Sequence, residues 1–501
     1  MQIFKTKNVD ALKHEAEGTA TLKRALGPID LLMLGIGGII GTGIFAVIGT
    51  AVAGDAVRPG AGPGIMLSFV LTAVACGFCA LCYAEFASSV PISGSAYTYS
   101  YATLGELVAW IIGWDLIIEY AVGNVAVAIG WAAYFHELCD NIGWHIPAWL
   151  SVDYRSAAQA GAAVVAAGGQ IDPSIALNYE AWTSHPTILG IPIVFNFLAV
   201  AIVAFITWLL VVGVKESARA NNIFVAIKLV ILLFFIYAGL KFVNTENWKP
   251  FMPNGFPGVW VGASLIFFAY IGFDAISTAA EECKRPSRDM PIAIIGSLII
   301  CTVIYIAVAA VLTGMVPWGK LGVADPLAAA FSYVHYKVAA GLISFGAVIS
   351  MTAVLLVFQY GQPRIFFSMS RDGLLPPYFQ RVHPKYQTPH MTTIWTGIIV
   401  AAISAVANIN EIVELTNIGT LFAFVLVCAG VIILRRKEPN RVLAFKTPLV
   451  PLVPLLGIAS CIYLMAGLPL ITWIRFGIWL LVGLALYFTY GYTHSKLRKT
   501  A

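Results

Sequence analysis

The stretch LGIGGIIGTGIF, Leu34 to Phe45, decides how this chain folds. It lies in an apolar run over 30–52, and about 20 such residues span a bilayer as a helix. Glycine stands at 35, 37, 38, 41 and 43, and each glycine weakens a helix interior by up to about 1 kcal/mol relative to alanine. Gly37 and Gly41 form a GxxxG pair, a spacing that lets two helices approach closely. One packing face does not need five glycines. A dinucleotide-binding loop would need a preceding strand and a soluble βαβ unit, which an apolar run does not provide. The reading that fits is a membrane span interrupted near Gly41.

A second interruption follows in FFAYIGFDAIS, Phe267 to Ser277, where Gly272 precedes Asp274 at mid-membrane depth. Apolar runs recur at 30–52, 63–86, 107–135, 191–213, 220–242, 258–280, 291–315, 338–360, 390–408, 412–434, 449–470 and 472–491. Only helices satisfy their own backbone in lipid, so these runs predict an all-α membrane protein of twelve spans. The interrupted runs are the first and the sixth. Interrupted helices in matching positions of two halves point to a transporter site built on inverted repeats. The expected architecture is therefore a 5+5 inverted repeat with spans 1 and 6 unwound near Gly41 and Gly272, plus two C-terminal spans.

Composition agrees. The 501 residues are 59% hydrophobic and 11% charged, against roughly 25% charged in soluble domains. With the N-terminus placed inside, the outer segments keep only Arg58, Arg155, Lys241, Lys249, Lys320, Lys337 and Arg475, and Lys228 lies within a span. The other Lys and Arg fall on the cytoplasmic side, as the positive-inside rule requires. The net charge of +5 thus reports orientation, not nucleic-acid binding. Expected boundaries are a cytoplasmic tail at 1–28 without a cleavable signal peptide, one membrane domain at 29–491 and a cytoplasmic tail at 492–501. The segment 136–190 reads as a long outer loop, with AAQAGAAVVAAGGQ a candidate short helix. Cys76, Cys79 and Cys82 lie along one helix and read as small packing residues; no metal or other cofactor is expected.

These motifs resemble the amino acid–polyamine–organocation (APC) superfamily of transporters. The likeness rests on the two interrupted stretches, extended to FFAYIGFDAISTAAEE (Phe267 to Glu282). It also rests on YAEFASSVPISGSAYTYSYATLGELVAWIIGWDLIIEY (Tyr83 to Tyr120), SRDGLLP (Ser370 to Pro376), TNIGTLFAF (Thr416 to Phe424) and RRKEPN (Arg435 to Asn440). It covers about residues 20–495 and leans towards bacterial relatives of the cationic amino acid transporters. It implies a leucine-transporter-like core in a cell inner (plasma) membrane with both termini cytoplasmic.

A zwitterionic amino acid needs partners for both charges once it leaves water. An interruption in span 1 frees N–H groups at the positive end of a half-helix, which suit a carboxylate. One in span 6 frees carbonyls for an ammonium. The resemblance implies that Ile39, Ile40, Gly41, Thr42 and Gly43 hold the carboxylate, that Phe268, Ala269 and Ile271 face the ammonium, and that the Phe268 ring covers the substrate.

Lys228 stands within the fifth run, where a lysine costs at least about 2.5 kcal/mol to insert and normally faces a bundle interior. The resemblance implies that its ammonium takes the place that a sodium ion holds in other members, between spans 1, 5 and 8. Its expected neighbours are carbonyls near Gly38 and the hydroxyls of Ser350 or Thr352. Glu119 and Asp274 are further candidates, and Arg371 and Asp372 would anchor the inner gate. Glu281, Glu282, Lys284, Arg285 and Arg288 read as a solvated cytoplasmic face.

The expected activity is secondary active transport, a proton-coupled symport of small or apolar neutral L-amino acids by alternating access. Exchange and cationic amino acid transport are the alternatives. A sensor that binds without carrying is a further class, separable by uptake into proteoliposomes. No Walker motif provides for ATP, and the 8 His lie mainly in tails and loops, away from any intramembrane catalytic cluster. The partners implied are the amino acid, protons and the lipid bilayer. Nothing in the sequence identifies a small regulatory membrane subunit.

Overall fold

The apolar runs fold as helices. The computed structural model describes residues 5–6, 26–55, 57–89, 95–172, 175–188, 190–212, 218–386, 388–440 and 443–499. Lys7, Lys13, Lys23, Arg24, Lys215 and Arg441 lie outside the described residues, as do the side chains of Arg219, Glu281 and Glu282. Among the described residues, nine stretches are long and apolar enough to cross a bilayer: Pro28–Ala53, Gly62–Ser88, Glu106–Asn141, Asn221–Phe242, Gly255–Ser277, Pro286–Met315, Lys337–Arg371, Ile409–Lys437 and Leu470–His494. Three shorter apolar helices, Phe197–Val212, His390–Val406 and Leu452–Ala466, fall among them. In chain order these twelve stretches are labelled span 1 to span 12, a numbering that covers the three shorter helices as well as the nine long enough to cross.

The eighth stretch runs eleven residues past its expected end at 360. Gln359, Gln362 and Arg364 lower the local hydropathy, but they are no obstacle to a helix that leaves the bilayer and continues to Arg371. Ser370 and Arg371 therefore belong to the last helical turn.

Span 2 packs most extensively on span 7, span 3 on span 8, and span 4 on span 9. Span 1 also packs on span 7, and span 6 on span 2; span 5 packs on span 8, and span 10 on span 3. Span 11 lies against spans 10 and 2. Cys79 lies in this seam, its Sγ 3.4 Å from that of Cys461 and 3.9 Å from that of Cys428. All eight cysteines are buried free thiols, and no group of side chains fit to hold a metal occurs among the described residues.

The segment between spans 3 and 4 has its own small core. The expected helix spans Tyr154–Ala166 and buries Ala157, Ala160, Gly161 and Val164 beside Val152, Ala181, Trp149 and Trp182. Asp153 caps it, accepting from the Ser156 N–H at 2.8 Å; burial pushes this carboxyl up to about 6. A two-residue antiparallel pair, Thr187–Ile188 with Ile191–Pro192, follows. Arg155 pairs with Glu411 at 2.9 Å and Asn408 donates to Ser156 at 2.9 Å, fastening the segment to the turn between spans 9 and 10.

Candidate substrate and coupling site

Span 1 is helical to Ile39. Ile40 is then extended, at φ −76° and ψ 102°, and a wide turn over Gly43–Val47 restarts the helix. The Gly41 carbonyl accepts from the N–H groups of Ile44 and Phe45 at 3.2 and 3.3 Å. The N–H groups just ahead of them open the second half-helix, where no preceding turn supplies acceptors. Span 6 leaves α-helix at Ile266, tightens over Phe267–Tyr270, and restarts at Asp274. Gly272 lies at φ +118°, a conformation that side chains disfavour.

The two interruptions touch. A Cβ on Gly272 would lie 2.7 Å from the Gly38 carbonyl carbon and oxygen. A Cβ on Gly43 would lie 2.3 Å from the Ala269 Cα. The side of Gly43 that a side chain would occupy is thus filled by span 6. A Cβ on Gly38 would meet the Gly272 carbonyl oxygen at 3.2 Å; the carbonyls that receive the lysine are those of Gly37 and Ile40, not that of Gly38.

Lys228 is fully buried. Its ammonium donates to the Gly37 carbonyl at 2.8 Å and to the Ile40 carbonyl at 3.0 Å. These are acceptors that the interruption leaves without their helical donors. Ser350 of span 8 donates to the same Ile40 carbonyl at 3.4 Å, so spans 1, 5 and 8 meet there. Thr352 does not join them. Two residues along a helix turn it to the opposite side, and its hydroxyl instead accepts from Trp131 Nε1 at 2.9 Å and donates to Val348 O at 2.7 Å.

Sequence reasoning missed Tyr305 of span 7. Its hydroxyl lies 2.9 Å from the Ile39 carbonyl and 3.0 Å from the Ala269 carbonyl, bridging the two interruptions. It also missed Asn417 of span 10, whose amide donates to the Ser264 and Leu265 carbonyls at 2.8 and 2.9 Å. A tyrosine in an apolar run looks like core, so no local signal marked Tyr305; Asn417 lay inside the stretch TNIGTLFAF without an assigned role. The Ala269 carbonyl is therefore already engaged. Phe268, Ile271 and Thr42 are buried at the interruptions, and the Thr42 hydroxyl has no partner among the described residues. Ile271 is extended, at φ −61° and ψ 135°.

Glu119 lies in a wide turn of span 3, Ile118–Val122. Its carboxyl lies near that of Asp274, both residues are buried, and neither Asp274 oxygen has a hydrogen-bond partner among the described residues. No basic side chain pairs with either among the described residues. Buried tyrosines Tyr83 and Tyr120 stand beside the pair. Asp372 accepts from the Tyr97 hydroxyl at 2.7 Å, which ties the turn after span 8 to the helix Ser95–Thr103.

Paired interruptions in contact at the centre of a multi-pass helical membrane protein define the class of a transporter. The amino acid permease family profile matches residues 26–488, and the chain belongs to that family. It is 46% identical to the branched-chain amino acid permease BcaP of Bacillus subtilis (strain 168), over 99% of each chain. It is 44% identical to the methylthioribose transporter of the same organism, again over 99% of each. It is 37% identical to the chloroplastic cationic amino acid transporter 9 of Arabidopsis thaliana, covering 83% of this chain and 68% of that one.

Proposed function

We propose that this protein is a proton-coupled symporter of apolar neutral L-amino acids, acting by alternating access. The observation that carries the reading is the Lys228 ammonium, bonded to the Gly37 and Ile40 carbonyls inside the interruption of span 1. A lysine so held exchanges a proton instead of recruiting sodium, and gain or loss of that charge changes how firmly spans 1, 5 and 8 are joined. The carboxylate is received by N–H groups at 41–43 and the ammonium by carbonyls at 268 and 271, with Phe268 as cover. The likeness to a branched-chain permease favours apolar side chains.

The same reading takes the twelve helices as twelve spans. The packing pairs support a 5+5 inverted repeat, because exchanging spans 1–5 with 6–10 in order (1 with 6, 2 with 7, and so on) maps 2–7, 3–8 and 4–9 onto themselves. It also maps 1–7 onto 6–2 and 5–8 onto 10–3. The transporter domain covers 29–491, with both short tails in the cytoplasm and the protein in the plasma membrane.

The buried Glu119–Asp274 pair supports a second reading, a cationic amino acid as cargo, because two carboxyls beside the site suit a basic side chain. The test is uptake of radiolabelled isoleucine, arginine and methylthioribose into proteoliposomes, with proton and sodium gradients imposed separately. Isoleucine accumulation driven by protons alone is the expected result. Arginine accumulation selects the second reading. A sodium requirement, or uptake of methylthioribose alone, overturns both.

A further inference from the structure

Glu106 is fully buried at the cytoplasmic start of span 3, a place where a carboxylate must be fully partnered to be tolerated. Its partners come largely from the far end of the chain. Arg498 Nη2 donates to it at 2.8 Å, Ser495 donates to its other oxygen, and the Tyr487 hydroxyl donates at 2.8 Å. Tyr101, on the helix Ser95–Thr103, adds a bond at 3.3 Å. The Arg498 guanidinium also lies 3.7 Å from the centre of the Tyr492 ring.

The same tail holds a second element. Lys496 N–H donates to the Asp372 carbonyl at 3.1 Å. Gly373, at φ +84°, would place a Cβ 2.5 Å from the His494 carbonyl oxygen, so the tail fits only over a glycine in a left-handed conformation. Asp372 in turn receives Tyr97 from the helix Ser95–Thr103. The N-terminus joins as well: Lys5 Nζ donates to the Leu497 carbonyl at 3.2 Å, and the Lys5 carbonyl accepts from Glu106 N–H at 3.2 Å. The helix Ser95–Thr103 packs on span 10 and on Asp274–Glu282, the inner half of interrupted span 6.

We propose that the C-terminal tail is a clasp of the inner gate, with Glu106 and Arg498 as its positioning residues. The clasp holds the helix Ser95–Thr103 and the turn after span 8 as one body against the inner half of span 6. Opening towards the cytoplasm requires that body to separate from span 6, so the clasp sets the rate of opening without touching the substrate. The inference rests on the transporter reading.

The test compares counterflow exchange and substrate affinity for the parent, Arg498→Met, Glu106→Gln and the double variant, all as full chains in proteoliposomes. The probe is whichever radiolabelled amino acid the parent carries. Each variant is expected to change the exchange rate by at least about threefold while the dissociation constant stays within about twofold, and the double variant is expected to match the single ones, as for two ends of one contact. Arg498→Met strands a buried carboxylate; if it does not fold, the double variant, which removes the charge with its partner, decides the outcome. Parent-like exchange in the double variant overturns the clasp, as does a rate change that follows affinity. A parent that carries none of the probes fails the transporter reading instead.

Discussion

The interruptions of spans 1 and 6 do the same geometric job by different means. In span 1 the helix is lost over about two residues, Ile40 and Gly41, and the exposed carbonyls at Gly37 and Ile40 are held by a charged donor, Lys228. In span 6 the helix is lost from Phe267 to Phe273. There the carbonyls are held by neutral donors, Asn417 and Tyr305, and the reversal is made by Gly272. A neutral donor holds its acceptor whatever the proton supply. A charged one is a hold that a proton can modulate. On the symport reading proposed above, energy coupling belongs to the first interruption and fixed shape to the second.

The largest effect is expected from removing the charged hold. Lys228→Met keeps the volume but loses every donor, and Lys228→Arg keeps a charge that cannot be released. Both are expected to reach the membrane and to lose proton-driven accumulation entirely, leaving at most exchange that no longer responds to pH. Accumulation by Lys228→Met equal to the parent, under an inward proton gradient in proteoliposomes, would erase the distinction between the two interruptions.

The next effect tests fixed shape. Gly272→Ala imposes a disfavoured conformation, worth about 1–3 kcal/mol, and pushes a methyl group into the Gly38 backbone. It is expected to lower the melting temperature in detergent clearly more than Gly38→Ala, whose methyl meets Gly272 O at a milder 3.2 Å. Equal melting temperatures for the two would show that span 6 is not set by Gly272.

Tyr305→Phe lies between the two, because its hydroxyl serves both interruptions. One hydroxyl proton satisfies one carbonyl at a time, so its loss strands one acceptor, at about 1–3 kcal/mol. Transport is expected to fall about tenfold while its response to pH is kept, since Lys228 remains. A lost pH response would move coupling away from Lys228 alone.

The positions of both interruptions were legible because glycine clusters and a mid-membrane acid are local signals. Lys228 was legible for the same reason: a charge in an apolar run needs an explanation wherever its partners are. What was not legible is which atoms meet. Thr352 and Ser350 look alike in sequence, and only helix rotation separates them. Gly43 read as a carboxylate-binding position, and the sequence could not show that the face a side chain would take is filled by Ala269. Tyr305 and Asn417 act through contacts with residues 266 and 153 positions away in their longest reach, and no window along the chain holds both ends.

The smallest effect is expected outside both interruptions, at Asp153, where burial of a charge serves no coupling. Lys228 is buried with acceptors for its charge, whereas Asp153 is buried with backbone N–H donors and, among the described residues, no paired cation. Its carboxyl is raised from 3.8 to about 6 in the folded protein, so the folded state binds the proton more tightly than the unfolded one. Stability therefore falls as pH rises from about 4 to about 6, and the deficit persists above that range. Asp153→Asn keeps the helix cap, since asparagine caps about as well as aspartate, but it removes the titration. The variant is expected to melt higher than the parent at pH 7, by an amount worth up to about 3 kcal/mol, with the gap closing as the pH approaches 4. Transport should be unchanged. Melting curves that stay parallel from pH 4 to pH 7 would mean that the Asp153 carboxyl is as well solvated as an ordinary one, and that in this fold an unpartnered charge is avoided outside the interruptions as well.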